Sequence, residues 1–177
     1  MSWIKDYIRT VPDYPLQGIQ YRDMTTLFQD AEAFNRLADE LAGHYEGRKF
    51  DKVVGIEARG FILGGVLADR LQAGFVPVRK ADKLPYETRT QSYKKEYGTD
   101  FLELHIDAVA PGEKVLLVDD LVATGGTAEA AVKLLREGEA TVADACFIVD
   151  LPDLGGADLV RSLDVSVVAL TAYTHGE

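Results

Sequence analysis

The sequence has little cysteine, fewer basic than acidic residues, and no long apolar run. Its one cysteine, Cys146, excludes an internal disulfide and leaves no cysteine cluster for a metal. The formal net charge of −10 disfavours nonspecific binding to nucleic acid or to an anionic membrane. No segment is apolar enough for a signal peptide or a bilayer span, so we expect a cytoplasmic protein with no membrane partner.

The length and apolar content of the chain favour a single domain. With 177 residues, 47% of them hydrophobic, the chain can form one full core, and it contains no repeat, linker or low-complexity segment. We therefore predict one domain over residues 1–177. Cys146 lies in the apolar run 143–149, which favours a buried structural thiol over a nucleophile.

The most informative stretch is 114–127, K-V-L-L-V-D-D-L-V-A-T-G-G-T. Its four consecutive apolar residues, 115–118, predict a central strand of a parallel sheet that is covered on both faces. Two carboxylates, Asp119 and Asp120, follow this strand directly. A turn of small residues comes next, and the alanine-rich run 128–135 has helical propensity. The order is therefore strand, acidic pair, glycine turn and helix.

This turn has the chemistry of a phosphate cradle, because a turn of small residues before a helix gathers backbone N–H groups at one point. Glycines allow close approach, and threonine hydroxyls add donors. The predicted cradle residues are Ala123, Thr124, Gly125, Gly126 and Thr127. The turn has no lysine, which excludes a nucleoside-triphosphate P-loop. Asp119 and Asp120 can accept hydrogen bonds from vicinal hydroxyls, so a sugar phosphate fits both parts. A tight turn that binds nothing is the alternative.

The rest of the chain alternates strands with helices. The other predicted strands are 52–56, 75–78, 102–106, 142–149 and 165–169. Helices are predicted from a cap at Asp30 to Gly47, from the turn 57–61 to near Leu71, from Thr127, and, as a short helix, from D-L-G-G at 153–156. In the strand 102–106, His105 falls on the polar face and is expected to be solvated. This alternation predicts an α/β fold, a doubly wound, mainly parallel sheet with flanking helices.

A basic stretch interrupts this pattern at residues 79–95. It contains six basic and two acidic residues, a local balance of +4 in a chain of −10. This asymmetry favours the binding of a polyanion, and a solvated surface is the alternative. An insertion of this length without a clear core pattern is typical of a mobile binding loop.

The stretch 114–127 resembles the phosphoribosyl-diphosphate motif of the type I phosphoribosyltransferases. Other segments resemble the adenine-specific branch of that family: G-I-Q-Y-R-D at 18–23, E-A-R-G-F at 57–61, R-K-A-D-K-L-P from Arg79, and S-Y-K-K-E-Y-G from Ser92. The resemblance covers nearly the whole chain. It implies a small N-terminal hood over residues 1–28 and a mobile catalytic loop with a hairpin over residues 79–105.

The resemblance also implies an activity, the transfer of the 5-phosphoribosyl group from phosphoribosyl diphosphate to adenine, which gives AMP and diphosphate. Glu96 and Arg59 would be catalytic, and Gln20 and Tyr21 would bind adenine. Sugar phosphate and diphosphate would be bound by the cradle, both aspartates and Arg59, Arg79, Lys80, Lys83 and Tyr97. The cofactor would be Mg²⁺, held mainly by substrate rather than by a protein metal site, and the protein would be a homodimer.

Several positions depart from the family pattern. Tyr21 stands where phenylalanine is usual, Asp82 replaces a frequent glycine, and Lys94 and Lys95 make the catalytic segment more basic. Two other functions stay open at this point. One is a phosphoribosyltransferase for another base, and the other is a regulator that binds phosphoribosyl diphosphate on the same fold.

Overall fold

The computed structural model describes residues 2–94 and 98–174. The strands, in chain order, are β1 (Arg9–Pro12), β2 (Gln20–Asp23), β3 (Lys52–Ile56), β4 (Gly74–Lys80), β5 (Thr88–Lys94), β6 (Thr99–His105), β7 (Lys114–Val118), β8 (Leu121–Val122), β9 (Thr141–Asp150) and β10 (Ser166–Ala172). The α-helices are α1 (Thr25–Gln29), α2 (Ala31–Gly43), α3 (Arg59–Leu71), α4 (Gly126–Glu137) and α5 (Gly156–Arg161). Short 3-10 helices cover Trp3–Tyr7 and Pro152–Leu154.

The main sheet is mostly parallel. Its strand order is β10-β9-β7-β3-β4-β6-β5, and the first five strands of this order run parallel to one another. Strand β6 is antiparallel to β4, and β5 is antiparallel to β6. The short β8 adds a parallel pairing to β9. The predicted α/β architecture, a mainly parallel sheet with flanking helices, is confirmed.

The apolar run of β7 is explained by cores on both faces of the sheet. Val115 and Leu117 pack in a cluster with side chains of α4 and α5. Leu116 and Val118, which alternate with them, pack in a second cluster with side chains of α1, α2 and α3. Because successive side chains of a strand point to opposite faces, a strand covered on both faces needs apolar residues at every position.

Helix α2 begins as predicted and ends earlier than predicted. The Asp30 carboxylate accepts a hydrogen bond of 2.8 Å from the Ala33 N–H, which caps the helix. The α-helix ends at Gly43 rather than at Gly47. Residues 44–46 donate to carbonyls three residues back, so the helix tightens into turns before Gly47, whose φ is +76°. Gly47 therefore ends the turns and not the α-helix itself.

The second part of the basic stretch, Thr88–Lys94, belongs to an antiparallel hairpin. Strands β5 and β6 pair from Thr88 opposite His105 to Lys94 opposite Thr99. The buried Leu102 and Leu104 join this hairpin to the core. His105 is half-buried, and its Nε2 atom is shielded from solvent without a hydrogen-bond partner among the described residues, so the expectation of a solvated His105 is wrong.

The N-terminal segment forms a separate two-stranded antiparallel sheet of β1 and β2.

In the main sheet, Cys146 is fully buried in β9, and burial raises the pKa of its thiol to about 12. The prediction of a buried thiol is confirmed. Across residues 2–94 and 98–174, no helix combines the length and the apolar character that crossing a bilayer requires.

Candidate functional site: a phosphate cradle at the carboxyl edge of the sheet

The predicted site residues lie on turns at one edge of the sheet. Strands β3 and β7 are parallel neighbours; Arg59 begins α3 just after the turn at the end of β3, and Asp119 directly follows β7. Strand β4, parallel to β3, ends in Arg79 and Lys80 at the same edge. Open α/β sheets bind ligands outside the carboxyl ends of their strands. The topology therefore brings together residues that are far apart in the sequence.

The glycine turn after β7 encloses a cavity of about 110 Å³. It is lined by Asp119, Leu121, Val122, Ala123, Thr124, Gly125, Gly126, Thr127, Ala128 and Phe147. All five predicted cradle residues and Asp119 are in this set. A ligand pocket typically measures about 300–1,000 Å³, so this cavity suits one group of a ligand rather than a whole nucleotide.

The shape of the cradle depends on close approach of two backbone segments. Gly125 has a φ of +82° and precedes α4, whose first N–H groups have no partner within the helix. A Cβ atom on Gly125 would lie 2.7 Å from the carbonyl oxygen of Gly156, the first residue of α5. A Cβ atom on Gly156 would lie 2.2 Å from the carbonyl oxygen of Ala123. Glycine is therefore required on both sides of this contact.

The two aspartates have different environments. Asp119 is half-buried on the cavity wall, and its Oδ1 accepts a hydrogen bond of 2.9 Å from the Asp120 N–H. Burial, and next the charge of Asp120, raise the pKa of Asp119 well above its ordinary value. Asp120 is buried, with 3% of its surface exposed, and forms an ion pair with Arg59. Asp119 alone of the pair lines the cavity; Asp120 faces the arginine.

Arg59 lies between the acidic pair and the N-terminal sheet. Its Nε donates to Oδ2 of Asp120 at 2.5 Å, and its Nη1 donates to the Tyr21 hydroxyl at 2.5 Å. The guanidinium carbon is 5.7 Å from the centre of the Tyr21 ring. Tyr14 packs edge-on against the same ring at 5.1 Å. The hydroxyl that distinguishes Tyr21 from phenylalanine therefore has a partner.

The N-terminal sheet thus places Tyr21 beside the acidic pair. Tyr21 is half-buried in β2, while Gln20, the first residue of that strand, is exposed. An aromatic face next to the cradle can stack on a flat base. The structure brings the predicted base-binding tyrosine and the predicted cradle to the same edge of the sheet.

The first residues of the basic stretch are hydrogen-bonded to Glu57, in the turn that precedes Arg59. Arg79 donates from Nε to Oε2 of Glu57 at 3.1 Å and from Nη1 to the carbonyl of Lys83 at 3.0 Å. The Lys80 N–H donates to the same Glu57 oxygen at 3.1 Å. Burial favours the protonated acid, but the hydrogen bonds from Arg79 and Lys80 hold the pKa of Glu57 below its ordinary value. The side chains of Lys80 and Lys83 are exposed.

Two predicted residues of the catalytic loop, Glu96 and Tyr97, lie outside the described residues. Two residues that contribute to the site were not predicted. Glu57 was quoted only as part of the E-A-R-G-F turn, and Gly156 only as part of D-L-G-G. A glycine pair after a strand at the same sheet edge is the one sequence signal that could have suggested Gly156.

The fold and the cradle define a class, an α/β protein with a glycine turn suited to a phosphate group at the carboxyl edge of its sheet. Comparison with known proteins then identifies the family. The model for the phosphoribosyl transferase domain matches residues 25–171, and the chain belongs to this family.

Relatives of known name and structure agree with this assignment. Adenine phosphoribosyltransferase from Bradyrhizobium sp. strain BTAi1 is 64% identical over 170 residues, which cover 96% of this chain and 95% of that protein. The crystal structure of adenine phosphoribosyltransferase from Thermoanaerobacter pseudethanolicus has a TM-score of 0.91 and 47% identity, covering 96% and 98% of the two chains. The Saccharomyces cerevisiae enzyme, complexed with an imino-altritol bisphosphate and adenine, has a TM-score of 0.87 and 38% identity, covering 94% and 96%.

Proposed function

We propose that this protein transfers the 5-phosphoribosyl group from phosphoribosyl diphosphate to adenine, giving AMP and diphosphate and returning free adenine to the nucleotide pool. The observation that carries the proposal is the glycine cradle, with Asp119 on its wall and with Tyr21 joined through Arg59 to the neighbouring Asp120. The names of relatives that are 56–64% identical over most of the chain support the same base.

In this reaction the bond between the anomeric carbon and the diphosphate oxygen breaks, and a ring nitrogen of adenine bonds to that carbon. The base loses the proton of that nitrogen, and the diphosphate leaves with the bonding electron pair. The cradle residues hold the 5-phosphate with N–H and hydroxyl groups. Asp119 accepts hydrogen bonds from the ribose hydroxyls. Arg59, Arg79, Lys80 and Lys83 supply positive charge to the diphosphate.

On the resemblance alone, we assign to Glu96 the role of accepting the proton that the base loses. On the same ground, Tyr97 contacts the reacting sugar. General acid–base catalysis of this kind contributes about 10²- to 10⁴-fold to turnover. Glu96→Gln should therefore lower kcat by a factor in that range and leave the Kd for phosphoribosyl diphosphate nearly unchanged. The control is Glu87→Gln, which removes another acid from the same basic stretch. Unchanged kcat in Glu96→Gln would remove Glu96 from this role.

The residues of the site fit a Mg²⁺ ion that arrives with the substrate. Asp119 presents a carboxylate oxygen, the donor type that Mg²⁺ prefers, on the wall of the phosphate cradle. The ion would be held mainly by phosphate and ribose oxygens and would neutralise charge on the departing diphosphate. The remaining positive charge comes from the arginine and lysine side chains of the chain itself.

We also propose a homodimer and a cytoplasmic location. Ile62 on α3 and Phe75 on β4 are exposed by 47% and 39%, and Phe61 packs edge-on against Phe75. An apolar surface of this kind is typical of an interface with a second copy. Ile62→Glu should convert a dimer to a monomer in analytical ultracentrifugation.

The cytoplasmic location is supported by the single, buried cysteine of the chain, because a reduced thiol is typical of a reducing compartment.

The deciding experiment offers adenine, guanine and hypoxanthine separately, each with phosphoribosyl diphosphate and Mg²⁺, and measures nucleotide formation. We expect AMP from adenine and no product from the other two bases. Product from guanine or hypoxanthine would identify another base specificity. Binding of phosphoribosyl diphosphate without product from any base would favour the regulatory alternative.

A further inference from the structure

The hydroxyl of Tyr21 has no role in stacking, because a phenylalanine ring provides the same aromatic face. In this chain the hydroxyl accepts a hydrogen bond of 2.5 Å from Nη1 of Arg59. The two residues are separated by 38 positions in the sequence and belong to the N-terminal sheet and to α3. The hydroxyl therefore links the predicted base site to a residue of the predicted diphosphate site.

Arg59 is also held from the opposite side. Its Nε donates a hydrogen bond to Asp120. Asp120 is only 3% exposed, so close packing fixes the position of this acceptor. A guanidinium is planar and has five N–H groups in fixed directions. Bonds from two different nitrogens of that plane to partners on different elements define its orientation. Removal of one partner leaves the group free to rotate about the other bond.

We propose that the Tyr21 hydroxyl is a positioning group that orients Arg59 for phosphoribosyl diphosphate and couples the base site to the sugar-phosphate site. The proposal rests on the function proposed above. A base stacked on the Tyr21 ring restricts the tyrosine, which restricts Arg59. By reciprocity, a sugar phosphate bound at Arg59 and the acidic pair favours the Tyr21 position that receives the base.

The test is Tyr21→Phe, which keeps the ring and removes the hydroxyl. Without the hydroxyl, the Arg59 side chain loses its rotamer freedom only when the ligand binds, which weakens binding. We therefore expect the Kd for phosphoribosyl diphosphate with Mg²⁺, measured by isothermal titration calorimetry, to rise about ten-fold. The Kd for 9-deazaadenine, an adenine analogue, should change less than about two-fold in the absence of sugar phosphate, since the stacking face is retained.

The coupling is measured by repeating the titration with 9-deazaadenine present. In the wild type the analogue should tighten phosphoribosyl diphosphate binding by about five-fold or more, and in Tyr21→Phe this factor should fall toward one. A double-mutant cycle with Arg59→Lys completes the test. If Tyr21 acts through Arg59, Tyr21→Phe should have no further effect on the Kd in the Arg59→Lys background.

The matched control is Tyr14→Phe, which removes a hydroxyl from the ring that packs against Tyr21. It should leave the Kd for phosphoribosyl diphosphate and the coupling at wild-type values. An unchanged Kd in Tyr21→Phe would overturn the proposal. So would equal weakening of both ligands together with a lower Tm, which indicates a disturbed N-terminal sheet. Because these measurements are of binding, an absence of AMP formation by the wild type would refute the proposed reaction separately.

Discussion

Gly156 offers a way to change the phosphate cradle without altering any residue that lines it. The residue is the first of α5, in the segment that follows β9, and lies outside the set that encloses the 110 Å³ cavity. In Gly156→Ala, the added methyl would lie 2.2 Å from the Ala123 oxygen and 2.6 Å from the Gly125 nitrogen. Both contacts are with backbone atoms, so the turn itself must shift.

Overpacking of this kind costs about 1–3 kcal/mol of folding free energy. For a chain of this size each kcal/mol lowers Tm by about 2–4 °C, so Gly156→Ala should unfold at a Tm lower by about 2–12 °C. The adjacent Gly155→Ala is a matched control. Gly155 has a φ of +70° and no atom within 4 Å of an added Cβ, so its cost is backbone strain of about 1–2 kcal/mol with no push on the cradle.

The two variants should therefore be similar in stability and different in binding. We expect Gly156→Ala to raise the Kd for phosphoribosyl diphosphate at least about ten-fold, since the N–H groups that hold a phosphate must keep hydrogen-bond geometry. Gly155→Ala should stay within about two-fold of wild type. Calorimetry provides both Tm and Kd. Equal Kd values for the two variants would refute the argument that the segment after β9 shapes the cradle.

Two further predictions concern the acidic residues Asp119 and Asp144. Because the folded-state pKa of Asp119 is raised, its contribution to stability falls as pH rises from its unfolded pKa through the folded pKa. Asp119→Asn should therefore raise Tm more at pH 8 than at pH 4, while weakening phosphoribosyl diphosphate binding; a Tm difference independent of pH would contradict this. Asp144 is 2% exposed and accepts two hydrogen bonds from Arg48 at the amino edge of the sheet. Asp144→Asn should cost about 2 kcal/mol in denaturant unfolding and leave the Kd for phosphoribosyl diphosphate unchanged, and an altered Kd would show that the two edges are not independent.

Local patterns in the sequence predicted the elements that local physics determines. The apolar run before Asp119 predicted a strand covered on both faces, and the small residues after it predicted the turn and the helix. Asp30 was predicted as a cap because it precedes the helical run. The end of α2 was misplaced, since Gly47 follows three residues of tighter turn that leave no distinct pattern in the sequence.

The contacts that organise the site could not be predicted in the same way. Arg59 and Asp120 are 61 positions apart in the sequence, and their pairing depends on the neighbouring positions of β3 and β7 in the sheet. Carboxylate chemistry alone predicted that both aspartates bind the sugar hydroxyls, whereas the structure distinguishes an acid on the cavity wall from one paired with arginine. The approach of Gly156 to Ala123 similarly depends on the tertiary packing of the segment after β9.

The burial of Cys146 has a practical consequence for spectroscopy. The single thiol of the chain is fully buried and its pKa is raised to about 12, so it reacts slowly with thiol-directed reagents at neutral pH. A cysteine introduced at the exposed Lys49, beside the amino edge, would be the accessible labelling position. A five-residue strand such as β3 spans about 17 Å, so a fluorophore at the amino edge would label the protein without occupying the cradle at the carboxyl edge.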